Sequence, residues 1–480
     1  MKVKLDYDNS RRQGIIAGDC FQDVRERFSA KNKGAQFARM RGRYIPSRTY
    51  VITPGGRFDV GLGGEIYKYI QESYVDSEIN VSKRFITELN PTYDDASIPK
   101  LKLKLRKYQK EVVKECTSSG RGVVVLATAG GKTLTIATLL EMMYKRDKDF
   151  KCALIVPDLG LVEQTVNDFY EYGCSFTVSK WTGKVDLDLS ANVIVCNLGI
   201  LQSKNSDTEW LSGIDICIVD EVHKLRRGNK INKLFRDIRT PHVFGFTGTM
   251  PEELIDQWNI IGKIGPIIYE RNSYQLRKDN YISDVKVQVL KLLYAVQPDY
   301  PRTISSPSER YRFELDFIIH NDFRNNILSG LCNKFDNNAL ILVDYIEHGS
   351  VLHKHITNHC SDKKVYFIRG EVALEDRERV KQIMEMDDNV IVVAISKIFS
   401  TGINIKNLHY IVFASGGKAK IKTIQSIGRG LRLHKNKSQL IIFDIGDDLR
   451  YGKDHLNRRL QHYKKESIEY GIQEISQKED

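Results

Sequence analysis

Three short segments hold residue types whose spacing suits one chemistry. They are Ala127-Thr128-Ala129-Gly130-Gly131-Lys132-Thr133, Asp220-Glu221-Val222-His223 and Gln425-Ser426-Ile427-Gly428-Arg429-Gly430-Leu431-Arg432, in that order along 480 residues. In the first, small residues allow a tight turn before an apolar-periodic run, so backbone N–H groups can wrap a phosphate at a helix N-terminus. Lys132 is then expected at the β- and γ-phosphates and Thr133 on Mg²⁺, with Thr128, Ala129, Gly130 and Gly131 forming the cradle. The form GxxxxGKT asks for glycine at 126, where Leu126 stands, so the match is partial.

The second segment follows a wholly apolar run. Asp220 can hold Mg²⁺ directly or through water, and Glu221 can orient and deprotonate an attacking water. An acidic pair after a strand is also an ordinary surface feature; His223 and the upstream loop favour the catalytic reading. In the third segment Arg429 and Arg432 are one helical turn apart and share a side. Their planar forks suit a phosphate gathering negative charge. A basic face turned to solvent or DNA phosphate is the competing reading, and it is stronger for Arg432 than for Arg429. Together the segments imply ATP and Mg²⁺.

The elements that must position these residues are readable from periodicity. Val123–Leu126, Ala153–Val156, Val193–Cys196, Asp215–Val219 and Val243–Phe246 are short apolar runs alternating with helical patterns. A second series comprises Leu340–Val343, Val365–Ile368, Val390–Ala394, Tyr410–Phe413 and Leu440–Phe443. Such alternation predicts an α/β class with parallel sheets and crossover helices, and ligands at the strand ends. The polar, proline-bearing stretch from Gln297 to Pro307 reads as the connector between two doubly wound lobes. The expected division is 1–95, a small basic α+β domain; 96–296, the first lobe; 297–450, the second lobe; and 451–480, a helical extension. In that extension Arg458-Arg459 and Lys464-Lys465 suit a DNA contact or a solvated tail equally well.

Composition bounds the rest. A hydrophobic fraction of 41% and a charged fraction of 28% are ordinary for globular chains. No apolar run approaches the roughly 18 residues of a membrane span, and the polar start is unlike a signal peptide, so no membrane partner is expected and the chain should stay where it is made. Eight cysteines without a CxxC pair read as small buried thiols in a reducing compartment rather than disulfides or metal ligands. The net charge of +12 is uneven: from Arg25 to Arg57 nine basic residues face the single acid Glu26. Aromatics interleave with Arg39, Arg41 and Arg43 there, which favours a nucleic-acid contact over a solvated face.

At this point the chain resembles the superfamily 2 helicases of the DExH type over about residues 101 to 445. The resemblance implies two RecA-like lobes. It implies an adenine contact at Gln109 within Arg106-Lys107-Tyr108-Gln109, with Arg106 beside it. Pro157, Gln164, Thr182, Gly183 and Asn197 stand where strand-contacting motifs are expected, although threonine is commoner than asparagine at the last. Thr247-Gly248-Thr249 resembles the motif that couples hydrolysis to unwinding. Ser400-Thr401-Gly402-Ile403-Asn404 resembles the one touching both DNA, through Thr401, and nucleotide, through Gly402 and Asn404. Gln425, Arg429 and Arg432 match the sixth motif.

Within that superfamily the small basic first domain and the stretch from Phe399 to His409 are similar to phage-encoded branched-DNA helicases of the UvsW type. This implies action on forks, four-way junctions, R-loops and D-loops, as a monomer in a host cytoplasm beside replication or recombination proteins. The competing expectations are an RNA helicase, the motor subunit of a restriction-type translocase, and an ATP-dependent junction scaffold that does not move. The complete set Lys132, Glu221, Arg429 and Arg432 argues against the scaffold, which has no need of a full hydrolytic site.

Overall fold

The apolar runs after Gly122 become strands covered on both faces, as parallel sheets flanked by helices require. A computed structural model describes the chain except for residues 33–39, 41, 43, 94–96, 128, 204–206, 226–234, 236, 282–283, 299–305, 370–381, 383, 397–406, 416–438, 466–467 and 479–480. The chain divides into two compact units that meet in sequence at Asn272 and Ser273.

The first unit begins with β1 (Lys2–Asp8), β2 (Gln13–Gly18), α1 (Phe21–Arg27), β3 (Ser29–Lys31), β4 (Arg48–Tyr50), β5 (Arg57–Phe58), α2 (Gly63–Ser73), β6 (Glu78–Val81) and α3 (Lys83–Leu89). Strands β5, β2, β1 and β6 form one mixed sheet in that order, and β3 pairs with β4 in a separate antiparallel hairpin. There follow α4 (Lys107–Ser119), β7 (Gly122–Leu126), α5 (Lys132–Arg146), β8 (Cys152–Val156), α6 (Leu159–Tyr172), β9 (Val178–Trp181), β10 (Val193–Asn197), α7 (Leu198–Leu201), β11 (Ile216–Asp220), β12 (Val243–Thr247), α8 (Leu254–Ile264) and β13 (Ile267–Arg271). Their sheet runs β13-β7-β12-β11-β8-β10-β9, parallel throughout. All its strands therefore end on one edge.

The N-terminal sheet shares its core with this lobe instead of standing apart. Trp258 and Ile261 of α8 are buried among Phe28, Leu62, Ile66 and Ile70. The buried Arg121 guanidinium donates to the carbonyls of Ile264, Lys263 and Glu88 at 2.8–2.9 Å, tying three segments together. Lys263 pairs with Asp59 at 2.8 Å, and Arg12 donates to the carbonyls of Ile238 and Arg239. At Gly61 the backbones approach so closely that a Cβ would lie 2.1 Å from the Ile261 carbonyl oxygen. Only glycine fits there.

The second unit contains α9 (Ser273–Lys278), β14 (Asp284–Leu293), α10 (Pro307–His320), α11 (Asp322–Asn333), β15 (Ala339–Val343), α12 (Ile346–His359), β16 (Lys364–Ile368), β17 (Val390–Ile395), β18 (Tyr410–Phe413), β19 (Gln439–Asp447), α13 (Arg450–Lys465) and β20 (Glu469–Ser476). Its parallel sheet is ordered β16-β17-β15-β18-β19-β14-β20. The chain class is thus two doubly wound lobes with a small α+β N-terminal part.

Two expected boundaries move. Strand β14, placed by sequence in the first lobe, pairs with β19 and β20 in the second sheet, so the lobes part near 272 and not at 297. The prolines after 297 mark a loop inside the second lobe, while the crossing at Arg271-Asn272-Ser273 carries no proline or glycine to announce it. The segment 451–480 is not wholly helical, since β20 closes the sheet edge with only Ile472 and Ile475 as apolar signals. Arg459 is neither a DNA contact nor a solvated tail residue: it is 1% exposed and paired with Asp444 at 2.8 Å, whereas Arg458 is exposed.

All eight cysteines are free, and seven are buried. Among the described residues no helix is long and apolar enough to cross a membrane.

Candidate functional site

The common edge of the first sheet gathers the expected residues in spatial order. The phosphate loop follows β7, Thr247 ends β12, Asp220 ends β11, Pro157 follows β8, Asn197 ends β10 and Thr182 follows β9. One half of the edge carries the nucleotide segments; the other carries the residues expected to meet a strand. Gln164 lies on α6, half-buried, and Gly183 is exposed beside the buried Thr182.

The loop turns through the left-handed region twice, at Ala129 with φ 64° and at Gly131 with φ 78°. Gly131 caps α5, so Lys132 and Thr133 open that helix, where unpaired backbone N–H groups and the helix dipole favour an anion. A Cβ at Gly131 would meet the Gln109 amide nitrogen at 2.3 Å, which places Gln109 against the loop. Its carboxamide oxygen accepts from the Arg106 backbone N–H at 2.8 Å, closing a capping box at the start of α4. Beside it the Arg106 guanidinium donates to the Tyr108 hydroxyl at 3.1 Å, and Arg271 lies 5.0 Å from the Tyr108 ring centroid. Arg271 carries no sequence signal, because it merely ends an edge strand.

Glu221 occupies the left-handed region at φ 51°, a strained conformation for a residue with a Cβ. Its backbone N–H donates to Asp220 at 2.9 Å. The turn carries the Glu221 carboxylate to 3.3 Å from the Lys132 ammonium and 3.2 Å from His223 Nδ1. His223 Nδ1 also lies 2.9 Å from Thr247 Oγ1, whose hydroxyl donates to the Thr249 carbonyl at 2.9 Å. With that hydroxyl proton committed, both neighbours of Nδ1 are acceptors, which assigns the imidazole proton to Nδ1. Burial pushes the Glu221 carboxyl up, but Lys132 and the His223 hydrogen bond outweigh it and hold the carboxyl well below the usual carboxylate range. Thr247, though not among the candidate site residues, is a member of this chain of bonds.

For Mg²⁺ the donor set is suitable: the Asp220 carboxylate ends a strand next to the loop whose helix begins with Thr133, and both offer hard oxygen ligands. A cavity of about 540 Å³ lies elsewhere, at the opposite edge of the sheet, lined by Tyr93, Met143, Arg146, Ile214 and His242 among others. None of the nucleotide segments reaches it. Thr128, Thr401, Gly402, Asn404, Gln425, Arg429, Arg432, Arg39, Arg41 and Arg43 lie outside the described residues.

The family described as "Type III restriction enzyme, res subunit" matches residues 102–252, and "Helicase conserved C-terminal domain" matches 322–434. The ATP-dependent DNA helicase uvsW of Enterobacteria phage T4 is 28% identical over 520 aligned residues, which span 99% of this chain and 100% of that protein. The chain belongs to the superfamily 2 helicases. Another helicase relative, the putative ATP-dependent helicase IRC3 of Saccharomyces cerevisiae, is 24% identical over 71% of this chain and 51% of its own length. The crystal structure of T4 UvsW aligns over 99% of this chain and 100% of that one at 25% identity and a TM-score of 0.45. The DNA-bound type ISP restriction-modification enzyme LlaBIII shares the fold, with a TM-score of 0.57 at 15% identity over 84% of this chain and 34% of that one. In this helicase, the restriction-enzyme family spans first-lobe sequence alone.

Proposed function

We propose that the chain is an ATP-dependent DNA helicase that remodels branched DNA, such as forks, four-way junctions, R-loops or D-loops. The observation that carries the reading is the Lys132–Glu221–His223–Thr247 cluster at one sheet edge, in a chain similar to uvsW along nearly its full length. The loop N–H groups and Lys132 take the β- and γ-phosphates, and Gln109 with Arg106 reads the base. When the Lys132 ammonium exchanges Glu221 for phosphate oxygens, the carboxylate is left to orient the attacking water and accept its proton.

Thr133 and Asp220 hold Mg²⁺, which neutralises charge on the phosphates. His223 fixes the Glu221 carboxylate and hands its orientation to Thr247. Gln425, Arg429 and Arg432 complete the charge stabilisation, with Gly402 and Asn404 on the nucleotide. Pro157, Gln164, Thr182, Gly183, Asn197 and Thr401 track one strand, and Arg39, Arg41 and Arg43 bind backbone phosphates of the branched substrate.

The test combines hydrolysis and unwinding. Lys132→Ala should abolish ATP turnover while leaving DNA binding largely intact; near-normal turnover would sink the motor reading. Side-by-side unwinding of a fork, a four-way junction and an RNA–DNA hybrid then defines the substrate, and stimulation by RNA in place of DNA would overturn the DNA assignment.

A further inference from the structure

One helix of the first unit belongs to two cores at once. Helix α8 gives Ile260 and Ile264 to the core of the first lobe, and Trp258 and Ile261 to that of the N-terminal sheet. Met250, the residue directly after Thr247-Gly248-Thr249, packs against both cores. The nucleotide side of this connection is the bonded series Glu221, His223, Thr247 and the Thr249 carbonyl. On the other side the Trp258 ring lies 5.4 Å from Phe28, inclined at 47°, and its indole N–H donates to Glu65 on α2. The Phe28 carbonyl accepts from Val51 at 3.1 Å, and the next residue, Ser29, begins β3. Trp258 therefore packs at the root of the β3–β4 hairpin, between whose strands the sequence carries Arg39, Arg41 and Arg43.

We propose that Met250 and Trp258 are positioning residues that couple occupancy of the nucleotide site to the grip of the basic N-terminal segment on DNA. The proposal rests on the helicase reading above. Close-packed cores resist graded deformation, so a displacement of the Thr247–Thr249 turn reaches α8 through Met250 and is delivered to the hairpin root by Trp258. Continuity of packing alone is only an association; coupling is a difference of binding free energies and must be measured as one.

The measurement is the affinity of a labelled fork with and without a non-hydrolysable ATP analogue, for the full chain. The wild-type ratio is expected at about 5- to 150-fold. In Met250→Ala and in Trp258→Phe, which keeps a ring but loses the donor to Glu65, it should fall to within about twofold of unity. DNA-free ATP turnover should stay at the wild-type level in both. A merely structural role would shift affinity equally in both nucleotide states and leave the ratio unchanged. Should one variant fail to fold, the other decides. Wild-type ratios in the folded variants, or a wild-type ratio of one, overturn the coupling. Absent turnover or absent fork binding in the wild type would strike the function itself.

Discussion

The first lobe keeps its charged cluster at the end of a sheet, and the second lobe buries its ion pairs within one. Lys132 and Glu221 retain side-chain exposures of 10% and 19%, whereas Arg324 and Asp447 are both at 0% and Arg459 and Asp444 at 1% and 0%. The partners differ as well. Arg324 binds Asp447 at 2.8 Å and the Ala414 carbonyl, and Tyr294 donates to the same carboxylate at 2.6 Å. Tyr463 donates to Asp444 at 2.7 Å, and Glu314 accepts the Tyr451 and Gly452 N–H groups at the start of α13. The second-lobe pairs are closed and hold the C-terminal helix to its sheet. The first-lobe cluster sits where a phosphate can replace one partner, so the same charge chemistry serves exchange in one lobe and fixation in the other.

The sharpest way to break this contrast is Glu221→Gln, which keeps the shape but removes the base. Turnover should fall about 10²- to 10⁴-fold, with ATP binding retained. Phosphate release within tenfold of wild type would remove Glu221 from the base role, and the cluster would then be structural like its counterparts.

Arg324→Met tests the other side. It strands a buried Asp447 charge, and such a loss costs about 3–5 kcal/mol of stability. Urea unfolding should show it as a large fall in midpoint, while Glu221→Gln should move the midpoint less. Equal shifts in the two variants would erase the distinction between exchangeable and sealed charge.

This contrast was only half legible in the sequence. The strands at 123–126, 193–196 and 390–394 are wholly apolar, and burial on both faces leaves little else for such runs to become. Lys132, Asp220, Glu221 and His223 were readable because they follow those strands. Arg324, Asp447 and Arg459 were not, since a charge is ordinarily exposed and nothing local announces a partner 123 residues away. Thr247 entered as a motif, but its bond to His223 needed the fold. Strand β14 was misplaced because its partner β19 lies far along the chain.

A smaller effect is expected from the basic N-terminal segment. Replacing Arg39, Arg41 and Arg43 with glutamine should weaken fork binding and flatten its salt dependence by about 0.9 in log–log slope for each duplex phosphate that is no longer neutralised. An unchanged slope would take the segment out of the interface. These charges would then be neither exchanged nor sealed, only solvated.

The smallest effect concerns the far edge of the first-lobe sheet, where His242 stacks on Tyr93 at 3.9 Å and its Nδ1 lies 3.0 Å from the Gly120 carbonyl oxygen. Burial lowers its proton affinity below the ordinary value of 6.5; Arg121 and Arg146 add to this, and the Gly120 hydrogen bond and Asp215 oppose it. Because the unfolded chain binds the proton more readily, this contribution is complete above pH 6.5 and is lost as pH falls towards the lowered folded value. Glu221 has the same sign at lower pH: its contribution is complete above 4.5 and declines below that. His242→Phe retains a ring against Tyr93 but cannot titrate. Its urea midpoint should fall less than the wild type's between about pH 8 and pH 6, with ATP turnover unchanged at both. An equal fall would place the sensitivity in another group. A matching change in turnover would mean that the two edges of the sheet are not independent, and that the exchangeable cluster extends further than its bonds.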